Sequence, residues 1–331
     1  MRSQRSRTVL MSELFHTPAR DRASRSLRRA PGRDGEPLTV GRLIERGARR
    51  LARARLHFGH GTDNARDEAA GLTLHALGLP QGGGVALYRR RVGAAQAARA
   101  EKLIARRIAE RIPAPYLTGV TWFAGLPFHV DARVLVPRSP LAEVIEDGFA
   151  PWTDPRRVRR VLDLGTGSGC IAIACAKALP KAQVDAVDIS APALEVARIN
   201  VRRHRLGARV HLKQSDHFSA LGGRTYDIIV ANPPYVGARE LKRLPPEYRH
   251  EPRVALAAGR RGLDSVTIIL REARRHLAPR GLLIVEVGNS ERALRRAFPR
   301  LPFVWLSFER GGGGVFVLER EQLPRTRTLK S

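Results

Sequence analysis

Cysteine is nearly absent: Cys170 and Cys175 are the only two in 331 residues. Five positions apart on a predicted helix, they point to different faces, which argues against a disulfide or a paired metal site and for two small core residues in a reducing compartment. Long apolar runs are also missing. Stretches such as Ile228–Ala231 and Leu282–Val285 have strand length and fall far short of the ~20 residues a membrane helix needs. The arginine-bearing N-terminus lacks the apolar core of a signal peptide, so the cytoplasm is the expected compartment. His57 and His60 have no third or fourth ligand at suitable spacing, so no metal is expected.

Acidic residues are outnumbered, 31 against 59 basic, for a formal charge of +28, and only six of the basic residues are lysine. The first 35 residues hold nine arginines against Glu13, Asp21 and Asp34, so most of the excess lies further along the chain. Such a field attracts polyanions, nucleic acid first, although an arginine-biased solvated surface gives the same count.

Residues 1–36 have no helical or strand period and read as a disordered, arginine-rich extension. From Thr39, a potential N-cap, Val40, Leu43, Ile44, Ala48 and Leu51 recur at helical spacing. Further helices are expected over Ala65–Leu77 and Ala94–Ile112, the latter stopped by Pro113, with a flexible break at Gln81-Gly82-Gly83-Gly84. Residues 37–112 thus form a small helical domain. Residues 113–138 read as a β-hairpin linker, strand–turn–strand over Tyr116–Val136 with the turn at Ala124-Gly125.

From 139 to 323 apolar strand-length runs alternate with helices, the pattern of an α/β domain with a mostly parallel sheet. Strands are expected at Val158–Leu164, Gln183–Ile189, Arg209–Lys213, Tyr226–Ala231 and Gly281–Val287. Helices are expected near Ser168–Leu179, Ala191–Leu206 and Leu263–Leu277. Phe303–Glu309 and Gly314–Glu319 are joined by a glycine turn too short for a parallel crossover, so they pair antiparallel. Seven strands result, the last antiparallel, and residues 324–331 are a tail.

Asp163-Leu164-Gly165-Thr166-Gly167-Ser168-Gly169 joins the first strand of this sheet to a helix, where α/β sheets bind nucleotide-like ligands. Asp188, about 20 residues on, ends the next strand and can accept both hydroxyls of a ribose. A pyrophosphate beside Asp163 would be repelled, whereas the ammonium and sulfonium of S-adenosylmethionine would be attracted. That cofactor is therefore expected, with Asp216 and His217 after the third strand near its adenine.

Asn232-Pro233-Pro234-Tyr235 ends the fourth strand on the same sheet edge. Two prolines fix φ and remove two donors, leaving a stiff corner rich in acceptors. If the Asn232 side-chain oxygen and the Pro233 carbonyl each accept one N–H of a planar nitrogen, its π lone pair is aimed at the methyl group and the charge growing on it is stabilised. Tyr235 would stack on the planar group, although an aromatic after a turn is often core.

These residues, from about Pro37 to Leu323, resemble the protein-(glutamine-N5) methyltransferases. The text Val136-Pro137-Arg138-Ser139-Pro140, with His57–Asn64, Pro246–Pro252 and Phe308–Gly312, is similar to the branch acting on the third large-subunit ribosomal protein. The resemblance implies a Rossmann-like class I methyltransferase domain behind a helical substrate-recognition domain. It also implies cofactor contacts from residues 165–169, Asp188 and Asp216–His217, and an amide site at residues 232–235. Release factors are the alternative substrate, and N6-adenine of RNA or DNA is a second, favoured by charge but left with little chain after the sheet for a base-recognition domain. A basic enzyme repels a free basic substrate, so an immature ribosomal particle, with contact to its rRNA, is the expected meeting place.

Overall fold

The computed structural model describes residues 37–81 and 84–325. The extension at 1–36, Gly82 and Gly83 of the glycine break, and positions 326–331 of the tail lie outside the described residues. The chain divides into two compact units, one of residues up to Ala54 with Ala65–Ala105, the other of Arg55–Asn64 with the residues from Arg106 onward.

The first unit is helical. Thr39 Oγ1 accepts from Arg42 N at 3.3 Å and starts α1 (Val40–Arg53), which buries Val40, Leu43, Ile44, Ala48 and Leu51 along one stripe. The next helices are α2 (Ala65–Ala76), the short α3 (Val85–Arg89), and α4 (Ala94–Glu110), whose end is marked by Arg111 at φ 55° ahead of Pro113. The one-turn α3 stands in a stretch whose glycines gave no helical signal. Gly47 lets α1 approach α4 closely, since a Cβ there would lie 2.4 Å from the Ile104 side chain.

In the second unit Pro113 opens a helical turn, α5 (Ala114–Thr118), closed by left-handed Gly119. Tyr116 is therefore helical where the sequence suggested a strand; the proline presets φ for a helix start. The hairpin proper is β1 (Val120–Phe123) and β2 (Leu126–His129), with Ala124 and Gly125 both at positive φ, as a two-residue turn of matching twist requires.

After α6 (Leu141–Glu146) come β3 (Arg160–Leu164), α7 (Cys170–Ala178), β4 (Gln183–Asp188), α8 (Ala191–Arg203), β5 (Val210–Gln214), β6 (Tyr226–Ala231) and α9 (Ala238–Leu241). The chain continues with α10 (Asp264–His276), β7 (Leu277–Glu286), α11 (Glu291–Ala297), β8 (Val304–Trp305) and β9 (Val315–Glu319). Seven strands lie in the order β5-β4-β3-β6-β7-β9-β8. The first five are parallel, and β9 runs antiparallel to both its neighbours.

Both sheet faces are covered. Val161, Val184, Ile228 and Ile284 belong to one core cluster with α6 and α7, while Leu162, Ile229, Leu283 and Val285 belong to the other with α10. Burial on both faces explains the unbroken apolar runs, each such side chain contributing roughly 1.5–3 kcal/mol. β8 is far shorter than the expected Phe303–Glu309. Leu306 N still donates to Val315 O of β9 at 2.9 Å, but beyond it the chain turns away: Leu306 and Phe308 pack on the first cluster, and Glu309 N and Arg310 N donate to the Glu143 carboxylate of α6 at 2.9 and 3.0 Å. No helix among the described residues is long and apolar enough to cross a membrane.

Candidate active site

The strand order reverses at β3: β4 lies on one side and β6 on the other. Crevices at such switch points, outside the carboxyl ends of the strands, are where α/β sheets bind ligands. Leu164 is the register partner of Ala231, so the glycine loop after β3 and the corner after β6 leave the sheet side by side. They meet in a cavity of about 310 Å³ lined by Gly165, Thr166, Gly167, Asp188, Asn232 and Pro233, among others.

Gly165, Gly167 and Gly169 all have positive φ. A Cβ on Gly165 or Gly167 would meet nothing within 4 Å, leaving backbone bare to the cavity, whereas Gly169 packs against Ala197. Asp188 accepts from Gly167 N at 2.8 Å through one oxygen and from Ser190 N at 2.9 Å through the other. Burial pushes its carboxyl up from the ordinary aspartate value. Asp216 is exposed and pairs with His217 Nδ1 at 2.6 Å, and His217 Nε2 reaches Ser265 Oγ at 2.7 Å, fixing this loop to α10.

Asp163 does not line the cavity. It is fully buried, and its Oδ2 accepts from Thr166 Oγ1 at 2.6 Å and Ala172 N at 3.1 Å, so it shapes the loop from behind. Burial pushes its carboxyl up to about 7. The charge expected to draw the sulfonium is thus held away from the cavity and weakened by desolvation.

Tyr235 also differs from expectation. Asn232, Pro233 and Pro234 line the cavity, but the Tyr235 ring lies over Gly288, where a Cβ would stand 2.6 Å from it. Its hydroxyl donates to Glu286 Oε1 at 3.2 Å, and its carbonyl accepts from Ser290 Oγ at 2.7 Å. An apolar ring beside a side-chain-free glycine gains more from packing than from facing water, so Tyr235 braces the corner from behind. Glu286 also accepts from Ser139 Oγ, and burial pushes its carboxyl up to about 7.

The rest of the cavity wall escaped sequence reasoning. Arg138 and Ser139 line it, as do Pro252, Val254, Ala255 and Ala258, and Ile189 at its lip is half exposed. Small and aliphatic residues carry no spacing signal that would reveal this role. His57 and His60 pack around Tyr248, with ring centroids 5.5 and 4.6 Å away, and no metal-holding cluster occurs among the described residues.

S-Adenosylmethionine fits this cavity. The glycine loop leaves room for close approach, and Asp188, which lines the cavity, keeps lone pairs free for ribose hydroxyls. Fold and site together define an S-adenosylmethionine-dependent methyltransferase. The family model described as "Methyltransferase small domain" matches residues 150–244, and "PrmC N-terminal domain" matches 43–119. A relative from Xanthomonas campestris, named ribosomal protein uL3 glutamine methyltransferase, is 51% identical over 86% of this chain and 92% of its own. One of the same name from Bordetella pertussis is 48% identical over 86% and 96%. The chain belongs to the family of ribosomal protein uL3 glutamine methyltransferases.

Proposed function

We propose that the protein methylates N5 of a glutamine side chain in ribosomal protein uL3, with Asn232 and Pro233 holding the amide. The observation that carries this reading is the opening of the Asn232-Pro233-Pro234 corner into the same cavity as the glycine loop and Asp188. S-Adenosylmethionine supplies a methyl group on a positively charged sulfur. Gly165, Gly167 and Asp188 would hold the cofactor, with Asp216 and His217 beside them, in the cavity that the corner also lines. Asn232 Oδ1 and the Pro233 carbonyl each accept one amide N–H, which turns the nitrogen's π lone pair toward the methyl carbon. Both oxygens would stabilise the positive charge that methylation places on that nitrogen. The nitrogen then loses one proton to water, so no strong base is required. Tyr235 keeps the corner rigid through Glu286 and Ser290.

The helical unit is assigned to recognition of the protein substrate, and the reaction to the cytoplasm, where ribosomes are assembled. A chain of charge +28 repels a free basic protein at long range, so the encounter is placed on an immature particle whose rRNA offsets both charges. The test is incubation with uL3, a release factor and rRNA together with labelled cofactor, followed by peptide mapping. The expected product is one methyl group on a uL3 glutamine, with kcat reduced on the order of 10²–10³-fold in Asn232→Ala. Label on adenine, on the release factor alone, or at an undiminished rate in the variant would overturn the reading.

A further inference from the structure

We infer that the outer side of the segment from Gly237 to Arg261 is an RNA-binding surface beside the mouth of the active-site cavity; this rests on the ribosomal substrate proposed above. The segment carries three acids. Glu247 is fully buried, with Arg111 Nη2 2.7 Å and Arg107 Nη1 3.6 Å from its Oε1. Glu251 is buried on Arg138. Glu240 accepts from Asn289 Nδ2 at 3.0 Å. Internal arginines thus consume the two buried acids of the segment, while its own cations, Arg239, Lys242, Arg243, Arg260 and Arg261, are exposed and make no ion pair with any of the described residues. Arg249 and Arg253 are exposed as well.

The backbone gathers these cations. Val236 N donates to Leu256 O at 2.9 Å, Ala258 N to Val236 O at 3.0 Å, and Ala238 N to Gly259 O at 2.9 Å. A Cβ on Gly237 would stand 3.2 Å from Arg260 O, so α9, with Arg239 beside Lys242 and Arg243, lies against Arg260 and Arg261. The other side of the same segment supplies Pro252, Val254, Ala255 and Ala258 to the cavity wall. A polyanion held on these cations therefore lies next to the place where the acceptor enters.

Phosphate matches this surface better than protein does. Guanidinium groups take phosphate oxygens in bidentate fashion, and a basic ribosomal protein is repelled by the field that attracts its RNA. Contacts of this kind release counterions, so affinity falls with salt by about 0.7 logarithmic units per contact on single strands.

The experiment measures binding of the full chain to transcribed large-subunit rRNA across a salt series. It compares wild type, the five-site variant Arg239→Gln/Lys242→Gln/Arg243→Gln/Arg260→Gln/Arg261→Gln, and a control neutralising exposed Arg198, Arg202, Arg203, Arg292 and Arg296. The expected result is a tenfold or greater loss of affinity and a salt slope lower by roughly 3.5 in the first variant, at about 0.7 for each of its five contacts. The control keeps most of both, and methylation of free uL3 by the first variant does not fall below the wild-type rate, since removing positive charge only eases the repulsion of a basic substrate. Equal losses in the two variants would overturn the inference, since charge would then act without location. A parallel loss on free uL3 would assign the surface to protein instead. Wild type that does not bind rRNA would remove the RNA contact of the proposed function itself, a failure distinct from the other two.

Discussion

Arg138 holds Glu251 with both arms of its guanidinium, Nη1 to Oε1 at 2.6 Å and Nη2 to Oε2 at 2.8 Å. Glu251 Oε1 also accepts from Val136 N at 3.1 Å, and His60 Nε2 stands 3.5 Å from Oε2. Three stretches of text that mark the uL3 branch, around His60, Arg138 and Glu251, thereby meet at one buried carboxylate. The pair joins two walls of the cavity, since Arg138 and Pro252 both line it.

Burial works to raise the Glu251 carboxyl, but His60 and Arg138 overcome it and hold it at about 2, below its ordinary 4.5. Its stabilisation is then fully present above pH 4.5 and is lost as pH falls toward 2. Arg138→Met should cost on the order of 3 kcal/mol at pH 7, because it leaves a buried charge without its main partner. Urea denaturation of both proteins across pH should show the gap closing as the solution is acidified below 4.5. A gap independent of pH would mean that Arg138 acts through packing on Tyr248, whose ring lies 5.4 Å below it.

Glu286 titrates in the opposite sense. Burial raises its carboxyl from 4.5 to about 7, so folding favours the protonated form, and the benefit is complete below pH 4.5 and lost as pH rises through 7. Asp163 moves in the same direction, from 3.8 to about 7. Glu286→Gln should therefore gain on wild type between pH 5 and pH 8 by on the order of 1–3 kcal/mol. Denaturation midpoints at the two pH values check this, and a constant difference would show that the carboxyl does not titrate in that range.

The parallel sheet was readable because each central strand is buried on two faces and leaves an unbroken apolar run, as in Ile228–Ala231 and Leu282–Val285. The glycine loop, Asp188 and the Asn232 corner could be placed at one sheet edge because each ends a strand, and they line one cavity there, while their roles toward cofactor and amide belong to the proposal above. Tyr235 was misread because its destination is Gly288, a position that no local pattern connects to it. β8 was overextended because Glu143 of α6, far away in sequence, draws off the backbone of Glu309 and Arg310. The wall at Val254 and Ala255 was invisible for a related reason: it consists of ordinary aliphatic residues given meaning by what lies opposite.

Gly262 sits at φ 76°, and a Cβ there would stand 2.1 Å from the Tyr235 carbonyl oxygen and 2.4 Å from Ser290 Oγ. Gly262→Ala must push the corner outward, and a shift of about 1 Å in a positioning element can cost 10²-fold in rate. The expected outcome is a kcat lower by roughly that factor and a stability lower by about 1 kcal/mol or more. Gly207, whose Cβ would meet nothing within 4 Å, is the control: Gly207→Ala should change neither quantity beyond error. Methyl-transfer kinetics and thermal unfolding of both variants decide it.

Asp188 is the side chain on which cofactor affinity should depend most steeply. Each of its oxygens already accepts one backbone N–H, from Gly167 and Ser190, leaving a lone pair on each for the two ribose hydroxyls. Hydrogen bonds to a charged acceptor contribute about 1.5–3 kcal/mol each, so Asp188→Ala should weaken S-adenosylmethionine on the order of 100-fold or more by calorimetry. Asp188→Asn keeps one acceptor but turns an NH2 group toward one of the two backbone donors, and should fall between wild type and alanine. If both variants bound the cofactor as tightly as wild type, the ribose would have to lie elsewhere along the β4 edge, and the placement of the methyl group against Asn232 would fail with it.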